Sequence, residues 1–164
     1  RLNRSLFMKT GSTMYTALCL ASLDVARREV TYTIAGFSSP LPRSRGHVYS
    51  LEGAGPGLPL GAFDASTYRE DTVALGDGDV LVLFTDGVTE ALNSAKDEYG
   101  RERLIRLLEE METSSLSASR IKHLIIDDVK RYSGSAHQAD DMTVVVLKTA
   151  QARSASPTSG AKIA

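Results

Sequence analysis

The sequence is poor in cysteine and in long apolar runs, and both absences exclude classes of protein. Its single cysteine, Cys19, rules out an internal disulfide and a structural zinc site made of thiolates. Such a composition is typical of a reducing compartment, so we expect a cytoplasmic protein. No stretch approaches the ~20 consecutive apolar residues of a membrane-spanning helix, and no secretory signal opens the sequence.

The chain also lacks an excess of charge of either sign. Its 19 Lys and Arg residues nearly balance 20 Asp and Glu residues, for a net charge of -1. This balance, without a dense basic patch, argues against a nucleic-acid-binding protein. Hydrophobic residues make up 42% and charged residues 24% of the 164 residues, as in an ordinary soluble domain. A chain of this length buries roughly two thirds of its unfolded surface, which is enough for a real core.

Apolar periodicity divides the chain into strands, then two helices, then a last strand. Apolar stripes predict the helices at 100–111 and 117–132, the second capped by Ser117. Short turns between the early strands require antiparallel pairing, so the fold class is α+β. The predicted strands are 14–23, which is expected to be buried, and 29–34, 48–51, 67–75, 80–85 and 142–148.

Both ends of the chain differ from its centre. Leu2, Leu6 and Phe7 have helical spacing, so residues 1–9 are predicted to be the end of a helix, and we expect a fragment that lacks an N-terminal part of its fold. The segment 149–164 is of low complexity and is expected to be disordered. The sequence therefore predicts one partial domain over 1–148 and a tail over 149–164.

Two acidic motifs stand next to the most apolar strands. Asp86 follows the run 80–84 and precedes Gly87, whereas Asp140 and Asp141 come just before the run 142–147. If these runs pair as antiparallel neighbours, the carboxylates meet at one edge of the sheet. Clustered carboxylates repel one another unless a proton or a cation neutralises them. Mg²⁺ and Mn²⁺ prefer carboxylate oxygen and water, so the pattern predicts a divalent metal site.

A simpler explanation stays open for each motif. Asp86 could serve only to cap a short helical turn at 88–92, with help from Thr89 and Glu90. Asp140 and Asp141 could be solvated loop residues, as most acidic pairs are. Only the conjunction of the two motifs favours the metal site.

The order of motifs along the chain resembles the SpoIIE/RsbU-like branch of the PPM-type metal-dependent Ser/Thr protein phosphatases. The resemblance covers roughly residues 1–148. Its most specific parts are Asp-Gly-Val-Thr-Glu-Ala at 86–91 and Asp-Asp-Met-Thr at 140–143. The other matching segments are Ala35-Gly36 before a proline-containing loop, Leu58-Pro59-Leu60-Gly61, Gly78-Asp79 and Tyr99-Gly100.

This resemblance implies an α-β-β-α sandwich of two antiparallel sheets flanked by helices, with a dinuclear Mn²⁺ or Mg²⁺ site at one end. By matching position, it implies that Asp86 and Asp140 are catalytic metal ligands and that Asp141 is an accessory carboxylate of the metal site. Hydrolysis by a metal-bound water needs no phosphoenzyme. The implied substrate is phosphoserine or phosphothreonine on a bacterial regulatory protein, such as a STAS-type anti-sigma-factor antagonist.

The sequence departs from the family in two places. The family's early acidic segment, an Asp followed three residues later by Gly, has no match before residue 14. That segment supplies the carboxylate that bridges both metals, so we expect an incomplete metal site and weak or absent activity in this chain alone. A catalytically incomplete phosphatase-like scaffold or phosphoprotein-binding module therefore stays open as an alternative. Phe37 also stands where the family commonly has His, and we assign no catalytic role there.

Cys19 and the three histidines have explanations outside catalysis. Cys19 lies among apolar residues of a predicted strand and is expected to fill the core rather than act as a nucleophile. His137 is close to Asp140 in sequence, but it is expected on an exposed loop. His47 and His123 are expected to be structural or solvated.

Loops and uncovered faces complete the sequence-based expectations. The loop 53–61 lacks the Gly-Lys-Ser/Thr ending of a phosphate-binding loop. Arg43 and Arg45 flank another loop, and at the surface they could meet a phosphoprotein. Because the helices that would cover one sheet are largely missing from the sequence, we expect an exposed apolar face and self-association, for example as a dimer.

Overall fold

The strands form two antiparallel sheets in the part of the chain that the computed structural model describes, residues 1–10, 14–51, 57–136 and 140–150. Strands β1 (Leu18–Asp24), β2 (Glu29–Ala35) and β5 (Glu70–Ala74) form the first sheet in the order β1-β2-β5. Strands β3 (Leu41–Ser44), β4 (His47–Val48), β6 (Val80–Phe84) and β7 (Val144–Lys148) form the second in the order β4-β3-β6-β7. The helices are α1 (Leu2–Thr10), α2 (Asp86–Thr89), α3 (Arg101–Glu110) and α4 (Ala118–Ser133).

Strand β6 is apolar throughout because both of its faces are buried. Leu81 and Leu83 face the first sheet, where they pack with residues such as Val30 and Val73. The alternate residues of β6, Val80, Val82 and Phe84, pack on the other side against α3 and α4. Successive side chains of a strand point to opposite faces, so this one strand serves two cores.

The layers therefore follow one another as helices, second sheet and first sheet, with α1 near the outer face of the first sheet. Residues of α1 line a cavity together with Leu18 and Leu20 of β1 and Thr33 of β2. Asn3 of α1 is buried and donates hydrogen bonds to the carbonyl oxygens of Phe63 and Asp64. The predicted α-β-β-α sandwich of two antiparallel sheets is confirmed. None of the helices in the described residues is long and apolar enough to cross a bilayer.

The predicted strand at 14–23 is shorter and far more exposed than expected. β1 begins at Leu18, and Leu20 and Leu23 are 62% and 46% exposed. The reason is tertiary: among the described residues β1 pairs with β2 alone, at the margin of its sheet. Cys19 is half-buried against Tyr32 and Ile34, and burial raises the pKa of its thiol, which keeps it protonated and unreactive.

Strand β3 lies where the proline-rich segment predicted a loop. Its Pro42 pairs with Leu81 of β6 and accepts a hydrogen bond from the backbone N–H of Tyr49 on the side of β4. The nitrogen and the carbonyl of one strand residue point to the same side, so the missing N–H of Pro42 also faces β4. Because this nitrogen faces β4, a strand of only two residues, the proline removes no hydrogen bond from the ladder between β3 and β6.

Both long helices lie close to their predicted bounds, and Ser117 caps α4 by accepting a hydrogen bond from the N–H of Arg120. At the other end of the chain, the backbone N–H of Thr149 still donates to the carbonyl oxygen of Asp79. The segment 149–164 is predicted to be disordered, and its residues 151–164 lie outside the described residues, as do residues 53–56 of the loop 53–61.

Arg43 is buried, so the prediction of a surface arginine that meets a phosphoprotein is wrong. Its guanidinium donates to the carbonyl oxygens of Leu108 and Met111 and to the hydroxyl of Thr113 at 2.6–2.7 Å. These acceptors follow or end α3, where helix carbonyls lack partners and carry partial negative charge. Lys148 of β7 likewise donates to three carbonyl oxygens between α3 and α4. The second sheet thus fixes the helical layer through two cations.

We expect Arg43→Ala to lower the free energy of unfolding by about 3 kcal/mol, because it leaves several buried acceptors without a donor. Denaturant unfolding monitored by circular dichroism measures this change. Arg45→Ala is the control: its side chain is exposed in the neighbouring turn, and we expect a change within about 0.5 kcal/mol. Equal stabilities of the two variants would contradict the capping role of Arg43.

Candidate metal centre

Strands β6 and β7 bring the two acidic segments together at one edge of the second sheet. Their register pairs Phe84 with Val144, the last residue of β6 with the first of β7. Beyond both strands, the backbone N–H of Thr85 donates to the carbonyl oxygen of Thr143 at 3.1 Å. Asp86 follows directly, so its segment lies beside the acidic segment that precedes β7.

The side chain of Thr85 holds these segments together through two hydrogen bonds. Its hydroxyl donates to the carbonyl oxygen of Asp141 at 3.0 Å and accepts from the backbone N–H of Thr143 at 2.9 Å. A hydroxyl can donate and accept at once, so both bonds form together. Thr85 is absent from the residues predicted for the site. Its position directly before the Asp-Gly pair is the only sequence signal for it.

Gly87 is required by the close approach of the second acidic segment. A Cβ added to Gly87 would lie 2.6 Å from the carbonyl oxygen of Asp141 and 3.4 Å from the carbonyl carbon of Asp140. The backbone angles of Gly87 are ordinary helical ones, since it belongs to α2 and is not among the residues with positive φ. Glycine is needed here because two backbones touch, which places Asp86 within the same small region as Asp140 and Asp141.

The structure gives little support to a pure capping role for Asp86. This residue is the first of α2, and Thr85 stands at the N-cap position without a side-chain capping bond. One carboxylate oxygen of Asp86 accepts from the adjacent N–H of Gly87 at 3.0 Å. Within the described residues no other hydrogen bond reaches this exposed carboxylate, so its second oxygen is open to a ligand.

Asp140 and Asp141 are also exposed at this edge. One carboxylate oxygen of Asp140 accepts from the backbone N–H of Asp141 at 2.7 Å, which sets the bend before β7. The donors that the site offers are therefore carboxylate oxygens in contact with water, the chemistry that Mg²⁺ and Mn²⁺ prefer. Over the described ranges, however, no three His, Cys, Asp or Glu side chains are grouped closely enough to hold a metal ion. The residues present fit part of a metal site and do not complete one.

The Ala35-Gly36-Phe37 segment has a packing role. Gly36 has φ +63°, and a Cβ there would lie 2.5 Å from Cγ of Pro59. The two loops that carry family motifs thus pack directly on one another. Phe37 packs against the apolar cluster of Tyr32 and Ile34, away from any catalytic role.

The histidines contribute nothing to the site in the described residues. His47 and His123 are exposed, and Nδ1 of His123 lies 2.7 Å from the carbonyl oxygen of Ser119 on its own helix. His137 lies outside the described residues.

Comparison with known proteins decides the family. The family model of stage II sporulation protein E (SpoIIE) matches residues 1–150. This chain belongs to the SpoIIE family. Among curated proteins, phosphoserine phosphatase RsbU of Bacillus subtilis (strain 168) is 30% identical over 152 residues, which are 90% of this chain and 43% of RsbU. Protein IcfG of Synechocystis sp. is 28% identical over 136 residues, which are 82% of this chain and 20% of IcfG.

Solved structures of the SpoIIE phosphatase domain from Bacillus subtilis share the fold. One, a PP2C phosphatase domain with a fragment of its regulatory domain, has a TM-score of 0.71 and 24% identity, and covers 89% of this chain and 41% of that one. Another, presoaked with Mn, has a TM-score of 0.64 and 19% identity, and covers 82% of this chain and 56% of that one. The family predicted from the motifs is confirmed. The chain spans less than half the length of the curated relatives it matches.

We expect Gly87→Ala to destabilise the protein by about 2–3 kcal/mol, because the added methyl group forces the Asp140–Asp141 backbone away from α2. Thermal and denaturant unfolding measure the loss. Gly46→Ala is the matched control, since Gly46 has φ +90° but nothing within 4 Å of an added Cβ. Gly46→Ala tests backbone strain without a steric collision, and we expect it to lower the free energy of unfolding by about 1 kcal/mol. A Gly87→Ala variant as stable as the unaltered chain would show that the two backbones are not in contact.

Proposed function

We propose that this SpoIIE-family chain is part of a metal-dependent phosphoprotein phosphatase, which hydrolyses phosphoserine or phosphothreonine on a regulatory protein. The observation that carries the proposal is the pair of hydrogen bonds made by Thr85, which brings the Asp86 and Asp141 segments into contact. The name of the relative RsbU, a phosphoserine phosphatase, supports the same reaction.

Asp86 and Asp140 would hold the divalent cation, Mn²⁺ or Mg²⁺, with Asp141 as an accessory carboxylate. When bound, the cation supplies a Lewis acid and an activated water for attack on phosphorus. The chain's own contribution is to fix carboxylates on a rigid strand end and to leave them exposed, so that a phosphorylated side chain of another protein can reach them. A dinuclear site needs further ligands beyond these carboxylates, which is why we expect this segment alone to be weakly active at best.

The preferred substrate is a phosphorylated STAS-type anti-sigma-factor antagonist in a bacterial signalling pathway, as the family resemblance implies. The balanced charge of the chain fits a protein partner rather than nucleic acid. A reducing, cytoplasmic setting fits the single cysteine. The exposed apolar residues of β1, Leu20 and Leu23, keep self-association, such as a dimer, among the expected properties.

A second candidate is a phosphatase-like scaffold that binds a phosphoprotein without turnover. It is favoured by the incomplete ligand group, since no three metal-binding side chains cluster within the described residues. The two candidates differ in one measurable respect: only the enzyme releases phosphate in a metal-dependent reaction.

The test uses the full-length protein and a phosphoserine peptide. We expect phosphate release with Mn²⁺ or Mg²⁺, and a loss of more than about 100-fold in Asp86→Asn and Asp140→Asn, beyond the 10–100-fold typical of groups that only support a ligand. Both side chains are exposed, so unfolding free energies should change by no more than about 0.5 kcal/mol. Asp127→Asn, which alters an exposed carboxylate of α4, should leave the rate unchanged.

Two outcomes would reject the enzyme. Equal turnover in excess chelator would exclude the metal-dependent reaction. Peptide binding without any phosphate release, with or without metal, would instead establish the scaffold. A large loss of stability in Asp86→Asn would instead show that Asp86 has a structural, capping role.

A further inference from the structure

The turn that carries Asp86 is held from its far side by the Tyr99–Gly100 segment. The backbone N–H of Tyr99 donates to the carbonyl oxygen of Ala91, and that of Gly100 to the carbonyl oxygen of Thr89, both at 2.8 Å. Inside the turn, the N–H of Glu90 donates to the carbonyl oxygen of Asp86 at 2.8 Å. The position of Asp86 therefore depends on where Tyr99 is fixed.

Tyr99 is fixed by a buried hydrogen bond to α4. Its ring is 3% exposed, and its hydroxyl donates to Oδ2 of Asp128 at 2.9 Å. Burial, followed by the bond to Asp128, raises the pKa of Tyr99 well above its usual value, so the hydroxyl remains a donor at any physiological pH. The edge of its ring meets the ring of Tyr132 at 82°, with the centroids 5.5 Å apart.

Asp128 and Arg103 complete this cluster, which we call the Tyr99 cluster (Tyr99, Arg103, Asp128 and Tyr132). Nε of Arg103 lies 3.3 Å from Oδ2 of Asp128, and Arg131 lies 3.6 Å from the other carboxylate oxygen. The guanidinium of Arg103 also stands over the rings of Tyr132 and Tyr99, at 4.7 and 5.3 Å from their centroids. The cluster thereby joins α3, α4 and the segment before α3 at one point.

Tyr132 extends the same attachment to the loop between α2 and Tyr99. Its hydroxyl donates to the carbonyl oxygen of Glu98 at 3.0 Å, and Nδ2 of Asn93 lies 3.2 Å from it. Every described segment from the Asp86 turn to α3 is thus tied by hydrogen bonds, directly or through one neighbour, to side chains of α4.

We propose that Tyr99 is a positioning residue for the metal centre, which fixes the Asp86 turn through its hydrogen bond to Asp128. The inference rests on the function proposed above. Apolar packing alone would bury the ring of Tyr99, but it is non-directional, whereas a hydrogen bond to a buried charge fixes one position. A metal ligand must be held within about 0.5 Å of its productive place, and the groups that support it govern metal affinity.

The test compares two variants that each remove one tyrosine hydroxyl. Tyr99→Phe removes the bond to Asp128. Tyr32→Phe is the matched control: its ring is 2% exposed, and its hydroxyl donates to Asp71 at 3.2 Å in the first sheet, where it has no contact with the Asp86 turn. Both variants should lose a similar free energy of unfolding. A difference between them in amide exchange or in Mn²⁺ affinity then reports the position of the Asp86 turn rather than a general loss of stability.

Two measurements on the full-length protein decide the outcome. In the metal-free protein, amide hydrogen exchange at 88–91 and 99–100 should accelerate in Tyr99→Phe and remain unchanged in Tyr32→Phe. The dissociation constant for Mn²⁺, measured by titration calorimetry, should rise about tenfold in Tyr99→Phe, within the range known for groups that support a ligand. Equal Mn²⁺ affinity and equal exchange in the two variants would overturn the proposal.

A double-mutant cycle tests whether Tyr99 acts through its hydrogen bond to Asp128. If Tyr99 acts through Asp128, the Mn²⁺ affinity of Tyr99→Phe/Asp128→Ala should match that of Asp128→Ala alone; additive effects would contradict this route.

Asp86→Asn serves as the reference variant. If Asp86→Asn leaves Mn²⁺ binding unchanged, the proposed metal centre fails. If it abolishes binding while Tyr99→Phe has no effect, only the role of Tyr99 is lost.

Discussion

The pairing of β6 with β7 is the constraint on which the candidate site depends. Five residue pairs join these strands, from Val80 with Lys148 to Phe84 with Val144. A slip of one residue would turn the side chains of β6 to the wrong cores, since alternate residues face the first sheet and the helices. Burial of both faces therefore sets the register, and the register sets which residues follow the strand ends. Thr85 then meets Thr143, and the two acidic segments lie side by side as a consequence.

The buried charges of this fold have protein partners, whereas the carboxylates of the candidate site are exposed to water. Arg43 is buried and is satisfied by carbonyl oxygens at the end of α3, and Asp128 is buried among hydroxyl and guanidinium donors. Each of these charges is compensated by neighbours because an unpaired buried charge is costly. The carboxylates of Asp86, Asp140 and Asp141 instead remain in water. Their exposure leaves carboxylate oxygens that a ligand from outside the fold can reach.

Much of this organisation could be predicted from local sequence. The stripes of α3 and α4, the Ser117 cap and the apolar run of β6 are short-range patterns, and the structure contains all of them. The errors concern residues whose environment is supplied by distant segments. Arg43 is a surface residue by composition, but a helix end 65 positions away buries it. Strand β1 is apolar by composition, yet it lies exposed because β2 is its only partner among the described residues.

The sequence by itself determined the family, through the order of its Asp-Gly-Val-Thr-Glu-Ala and Asp-Asp-Met-Thr motifs, and it predicted which side chains would carry metal chemistry. Only the tertiary structure decided that these motifs touch, through a threonine hydroxyl and an amide 58 positions apart. It also decided that Gly87 is needed for close backbone approach and that Tyr99 is tied to α4. The physical reason is range: periodicity and capping act over a few residues, whereas strand register and buried hydrogen bonds join residues that the chain keeps far apart.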